Sequence, residues 1–134
     1  MTSDLPRRPR YPGLASIEAY GNGGFRFAGM SHKGSILCLP DAIEAWDPAG
    51  MEELTPAAFT PILAMRERLD IVLLGTGEEH RLPDAAIRAA FATAGVGLDV
   101  MATGPAARTW NVLIAEGRRV AAALLVTGIV PAGR

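Results

Sequence analysis

The chain has 134 residues and a mass of 14.1 kDa, the size of one domain with one core, and its 49% apolar content can fill that interior. A net charge of −1 excludes any general electrostatic pull toward nucleic acid or an anionic membrane surface. Cys38 is the sole cysteine, which excludes an internal disulfide framework and a multi-cysteine zinc site and fits a reducing compartment.

At the N-terminus, "MTSDLPRRPRYPG" carries Arg7, Arg8 and Arg10 among prolines and lacks the apolar core of a secretory signal. Residues 1–11 are expected to form a flexible basic arm, either a solvated tail or a docking arm for an acidic partner, and the protein to be cytoplasmic. "SIEAYGNGGFRFAG" follows, with alternating runs over 16–20 and 24–28 around Gly21-Asn22-Gly23. Asn-Gly tolerates positive φ at both central positions of a tight turn, so this stretch predicts a β-hairpin. "SHKGSILCLPD" offers a third strand, Ser35–Leu39, after a Lys33-Gly34 turn, and Pro40 stops it because it has no N–H to donate. Trp46, in "AIEAWDP", reads as an aromatic before a turn that packs over a sheet edge.

From Thr55 the period changes. Thr55 reads as an N-cap with Pro56 at the first helical position, and Phe59, Ile62, Leu63 and Arg66 recur at i, i+3, i+4 and i+7. The spacing predicts a helix to about residue 68. Ile71 to Leu74 is a continuous apolar strand, as expected when both faces are covered. Pro83-Asp84 opens a second helix with Ile87, Ala90, Phe91 and Ala94 on one face, ended by Gly95. Leu98 to Met101 is a short strand. Thr103 reads as the cap of a third helix that turns Ala106, Trp110, Leu113 and Ile114 to the core and ends at Gly117. Arg119 to Thr127 is the last strand; its apolar stretch, Val120 to Val126, is far shorter than the roughly 18 residues of a membrane span. Alternating strands and helices with short connections predict an α/β fold. We expect a single domain over residues 12–130, with a mixed, mainly parallel central sheet flanked by helices and the N-terminal β-hairpin as an extra β layer.

The chemistry-bearing residue types cluster at the ends of these strands. Gly75-Thr76-Gly77 follows an apolar strand, as the first turn of several nucleotide sites does. The dinucleotide fingerprint, however, needs a third glycine where this chain has His80, and a Walker loop needs a lysine that does not follow. Glu78 and Glu79 would face the phosphates with two negative charges. The loop is therefore read as a turn needing permissive glycine dihedrals, at the carboxyl end of a strand where open α/β sheets bind ligands. Ala102-Thr103-Gly104 lies at a second such end, where Thr103 either caps its helix or lines a small pocket favouring an anion or carbonyl. Arg108 and Asn111, at i and i+3, could bind a carboxylate or hold a neighbouring loop carbonyl, and are either structural or solvated or recognise a partner or ligand. Gly75, Thr76, Gly77, Thr103, Arg108 and Asn111 are thus the candidate ligand- or partner-binding residues. His32 and His80 lack metal-ligand spacing, Cys38 reads as a small core residue, and no catalytic group or metal site is expected. Asp84 reads as favouring its helix N-terminus.

Several blocks also resemble a known family: "YGNGGFRF", "HKGSILCLP", Trp46, "DIVLLGTG" and "MATGPAARTWNVLIAEGRRVAAALL". Together they cover roughly Pro12 to Gly128 and look like the Mth-type domain of unknown function. Its eukaryotic members include the adipogenesis-associated Mth-domain protein and the third mitochondrial complex I assembly factor. In the late block Thr103, Ala107, Thr109, Asn111, Leu113, Glu116, Gly117, Arg118, Arg119 and Val120 match the family's pattern in order, and Trp110 stands where the family commonly has tyrosine. The resemblance implies a compact α/β fold with an extra β element, no established catalytic activity and no cofactor. It also implies a non-enzymatic binding or assembly role through an unidentified protein partner, at a respiratory complex or export machinery, with no membrane insertion of its own. The alternative is a binding protein or enzyme for a small anionic metabolite, anchored at the carboxyl ends of the parallel strands. Homo-oligomerisation through a strand edge is a further possibility, and the alanine-arginine bias points to a bacterial chain.

Overall fold

A computed structural model of the chain describes residues 10–128. In chain order its strands are β1 (Arg10–Tyr11), β2 (Ile17–Gly21), β3 (Gly24–Phe27), β4 (Met30–Lys33), β5 (Ser35–Leu39), β6 (Ala42–Trp46), β7 (Ile71–Gly75), β8 (Gly97–Met101) and β9 (Val120–Leu124). The α-helices are α1 (Thr60–Leu63), α2 (Ala85–Ala94) and α3 (Thr103–Ala115). Six strands form one mixed sheet in the order β1-β6-β5-β9-β7-β8, and β2-β3-β4 form a separate antiparallel sheet. The parallel strands expected from the alternating pattern are β9, β7 and β8; β5 joins β9 antiparallel and carries β6 and β1 beyond it.

Three layers result. One face of the large sheet packs Leu37, Val72, Leu74, Ala121 and Ala123 against Phe59, Ile62, Ile87 and Phe91 from α1, α2 and the turn before α1. The other packs Ile36, Cys38, Leu73, Ala122 and Leu124 against Phe25 and Phe27 of the small sheet and Ala106, Ala107 and Trp110 of α3. β9 lies between β5 and β7, and its three alanines, Ala121 to Ala123, are fully buried. Small side chains there let both outer layers approach one strand closely.

The hairpin forms as its sequence predicts: Gly21 pairs with Gly24, and Asn22 and Gly23 take φ of 54° and 82°. A second tight turn, Ala28-Gly29, adds β4, so the extra layer has three strands. That strand, "MSHK", has no buried residue and so carries no apolar alternation to betray it. Gly34, at φ 92°, turns the chain from the small sheet into β5, which belongs to the large one.

Three expectations are corrected. The helix expected over 55–68 is a 3-10 turn at Pro56–Phe59, the four-residue α1 and a 3-10 turn at Arg66–Arg68. Pro61 has no N–H for the ladder in the middle of that stretch, which fragments it while Phe59 and Ile62 remain buried. The residues before Trp46 form a strand that the sequence reading did not assign, β6, and Trp46 ends it just before the turn, where its indole N–H donates to the Ala58 carbonyl (2.9 Å) and its ring packs edge-on against Phe59. Arg10 and Tyr11, placed in the arm by sequence, pair with Glu44 and Ile43 as β1, and Arg10 bonds the Glu44 carboxylate (2.9 Å). Residues 1–9 of the expected arm lie outside the described residues.

Candidate functional site

The parallel strands end side by side, with Gly75 in register with Met101 on β8 and Leu124 on β9. A Cβ on Gly75 would lie 3.0 Å from Leu124 Cδ2, Thr103 Cα and Thr103 Oγ1, so close approach of α3 demands glycine there. Gly77 satisfies the loop differently, at φ 101°. Gly77 takes the permissive dihedral expected of the loop, whereas Gly75 does not and is instead the last residue of β7, pressed close to Thr103 and Leu124.

Thr103 does not cap α3; Ala102 holds that position and Thr103 is the first helical residue, fully buried. Its hydroxyl donates to the Leu125 carbonyl (2.7 Å) and accepts from the Gly77 N–H (2.9 Å), while its own N–H donates to the Gly77 carbonyl (2.9 Å). A buried carbonyl and a half-buried amide beyond the strand ends need partners, and this hydroxyl serves both. The Thr76 hydroxyl donates to the Glu79 carbonyl and accepts from the Arg81 N–H (3.2 Å), folding the loop onto itself. Glu78, drawn from sequence as a charge facing a phosphate, instead accepts from the Gly128 N–H (2.7 Å), and the Thr127 carbonyl accepts from Gly23 of the hairpin.

Asn111 and Arg108 bring α3 against β2. The Asn111 side-chain oxygen accepts from the Ile17 N–H (2.7 Å) and its amide donates to the Ile17 carbonyl (2.9 Å), supplying both bonds a neighbouring strand would give. Trp110, fully buried, donates to the Ala15 carbonyl (3.0 Å). Arg108 is exposed and donates weakly to the Tyr20 hydroxyl (3.4 Å). Tyr20 itself lies over Gly104, where any Cβ would run into the phenol. Thr103, Gly75, Gly77 and Thr76 therefore meet at one end of the sheet, Arg108 and Asn111 stand further along α3, and the polar groups of Thr76, Thr103 and Asn111 are spent inside the fold.

Cys38 is fully buried, and desolvation raises its thiol pKa far above the ordinary value, so no thiolate nucleophile forms there. His32 has a buried Nε2 without a hydrogen-bond partner and sits beside the Phe27 ring, whereas His80 is exposed.

Sequence reasoning missed a groove of about 500 Å³ beside β8, reached by the same loop that starts at Gly75. Leu98 and Val100 of β8, Phe91 and Val96 of the adjoining helix end, and His80 and Leu82 of the loop line it. Leu82 is 69% exposed. The only sequence signal was one leucine in the otherwise polar "EEHRLPD".

Comparisons with known proteins bear on this geometry. The mouse protein "NADH dehydrogenase [ubiquinone] 1 alpha subcomplex assembly factor 3" is 28% identical over 115 residues, 86% of this chain and 62% of that protein. The chain thus spans less than two thirds of the length of that relative. A solved structure of an outer membrane protein from Bartonella henselae is similar at 43% identity and a TM-score of 0.83, over 87% of this chain and 98% of that one. A Bordetella pertussis protein described as a Mth938-like domain shares 27% identity at a TM-score of 0.73, over 94% of each chain. Among the described residues no helix is long and apolar enough to cross a membrane. Residues 17–125 match the family described as "Protein of unknown function (DUF498/DUF598)", and the chain belongs to that family.

Proposed function

We propose that the protein is a non-enzymatic binding module that aids assembly of a membrane protein complex by protein contacts. The observation that carries this reading is the use of the polar groups at the carboxyl end of the sheet and along α3. Thr76, Thr103 and Asn111 spend their hydrogen bonds on Glu79, Leu125, Gly77 and Ile17, so the loop and α3 are fixed as a platform. Beside the exposed acids Glu78 and Glu79, that platform turns outward Leu82 at 69% exposure, Val112 at 54% and the exposed Arg108. Large exposed side chains on rigid supports suit a partner surface. Gly75, Thr76, Gly77, Thr103 and Asn111 shape the platform in this reading, and Arg108 touches the partner.

The name of the mouse relative supports a respiratory complex as the assembly concerned. The test is a deletion strain in which assembled NADH dehydrogenase is quantified in the membrane fraction by native gel electrophoresis. We expect the complex to fall on deletion, to recover with the wild-type chain, and to stay low with Leu82→Ser combined with Val112→Arg, a pair that leaves the purified protein's melting temperature within the range of surface substitutions. Unchanged complex on deletion, or full rescue by the double variant, would overturn the proposal.

A further inference from the structure

We infer that the free edge of β8 accepts an extended segment of a partner protein as an added strand, one whose alternate residues are apolar and basic. This rests on the partner-binding reading and names the chemistry of the partner.

β8 ends the six-stranded sheet: β7 pairs with one side, and among the described residues no strand pairs with the other. Its five residues span about 16 Å at ~3.3 Å per residue, enough for main-chain bonds to a short extended peptide. The strand's two faces are chemically distinct. Leu98 and Val100 point into the groove that continues to Leu82, Phe91 and Val96. Asp99, exposed between them in sequence, stands on the opposite face of the ladder. An incoming strand therefore meets a largely apolar lining on one face, with Arg88 and His80 also in it, and a carboxylate on the other, which selects apolar side chains toward the groove and basic ones toward Asp99.

The same carboxylate argues against a second copy of this chain as the occupant. Antiparallel pairing of two β8 strands about their central residue sets Asp99 against Asp99. Any two-fold register that keeps both Leu98–Val100 faces together leaves both carboxylates on one face of the joined ladder. Like charges so placed destabilise a pair, and an inward or edge charge is a common guard against self-pairing. A partner with a lysine or arginine at that position converts the guard into an attraction.

The experiment uses the full chain and two probes, blocked peptides of about seven residues alternating valine with lysine or valine with glutamate. We expect the lysine peptide to bind about tenfold or more tightly than the glutamate peptide, with slowed amide hydrogen exchange at 97–101, and Asp99→Lys to reverse the preference. Equal binding of the two peptides, a preference unmoved by Asp99→Lys, or protection appearing elsewhere than β8 would overturn strand addition. So would a dimer in light scattering that Asp99→Asn strengthens, since the edge then belongs to a second copy. Asp99→Asn also serves if the lysine variant fails to fold, and is expected to reduce the preference without reversing it. The deletion-strain assay separates this inference from the reading beneath it. Full rescue by a folded Asp99→Lys, alongside failed rescue by Leu82→Ser with Val112→Arg, removes strand addition and leaves the assembly reading standing.

Discussion

Two ends of the same parallel unit treat their polar groups in opposite ways. At the carboxyl edge, where α/β sheets commonly hold ligands, the Thr103 hydroxyl bridges Gly77 and Leu125, and the Thr76 hydroxyl closes its own loop. One strand away, β8 leaves an edge with no strand partner among the described residues and sets Leu98 and Val100 beside an exposed Leu82. Thr76 and Thr103 spend their hydroxyls inside the fold, while Leu82 and the side of β8 away from β7 stand open. Residue type alone does not separate a site from a scaffold; the fate of each hydrogen bond does.

If the first region is scaffold, breaking it costs stability. Trp110→Ala empties the space beneath α3 and orphans the Ala15 carbonyl, and is expected to destabilise by about 3–5 kcal/mol in denaturant melts. Gly75→Ala drives a methyl group against the backbone and side chain of Thr103 and against Leu124, an overpacking expected to cost roughly 1–3 kcal/mol. Thr103→Val keeps the shape but leaves the Leu125 carbonyl and the Gly77 amide without their partner, at about 1–3 kcal/mol. A Thr103→Val protein as stable as wild type would break the comparison, because the hydroxyl would then be spare.

The buried thiol gives a smaller, pH-dependent effect on the same scaffold. Cys38 has a raised folded-state pKa because of desolvation, so the fold, unlike the unfolded chain, penalises its thiolate. Stability is full below the ordinary value of 9.0 and falls as pH rises above it, since only the unfolded chain loses the proton. Thermal melts are expected to show that alkaline slope and Cys38→Ala to flatten it. Smallest of all, Leu82→Ser is expected to stay within about 0.5 kcal/mol of wild type, because its side chain is largely solvated already.

Much of the scaffold was legible in the sequence, for physical reasons that also explain the gaps. Asn22-Gly23, the apolar β7 and β9 and the Gly95 stop of α2 each announce themselves through turn chemistry or periodicity. The short β4 does not, because the small sheet leaves it exposed. Pro61 was in view, yet the apolar period of Phe59 and Ile62 hid the fragmentation it causes. Within the candidate site, Gly75, Thr103 and Asn111 were in view as candidate binding residues, while the groups that Thr103 and Asn111 bond, at Leu125 and Ile17, lie far away in sequence. The groove was illegible because strand order makes β8 an edge, and strand order is not written in local pattern.

The most direct test pairs two readouts, melting temperature and membrane-complex abundance, on Thr103→Val and on Leu82→Ser with Val112→Arg in the deletion strain. The account predicts that Thr103→Val lowers the melting temperature and, while folded, still restores the complex, whereas the surface pair melts normally and restores none. A surface pair that restores the complex in full, with a normally melting Thr103→Val that restores none, would contradict it and return the site to the carboxyl edge.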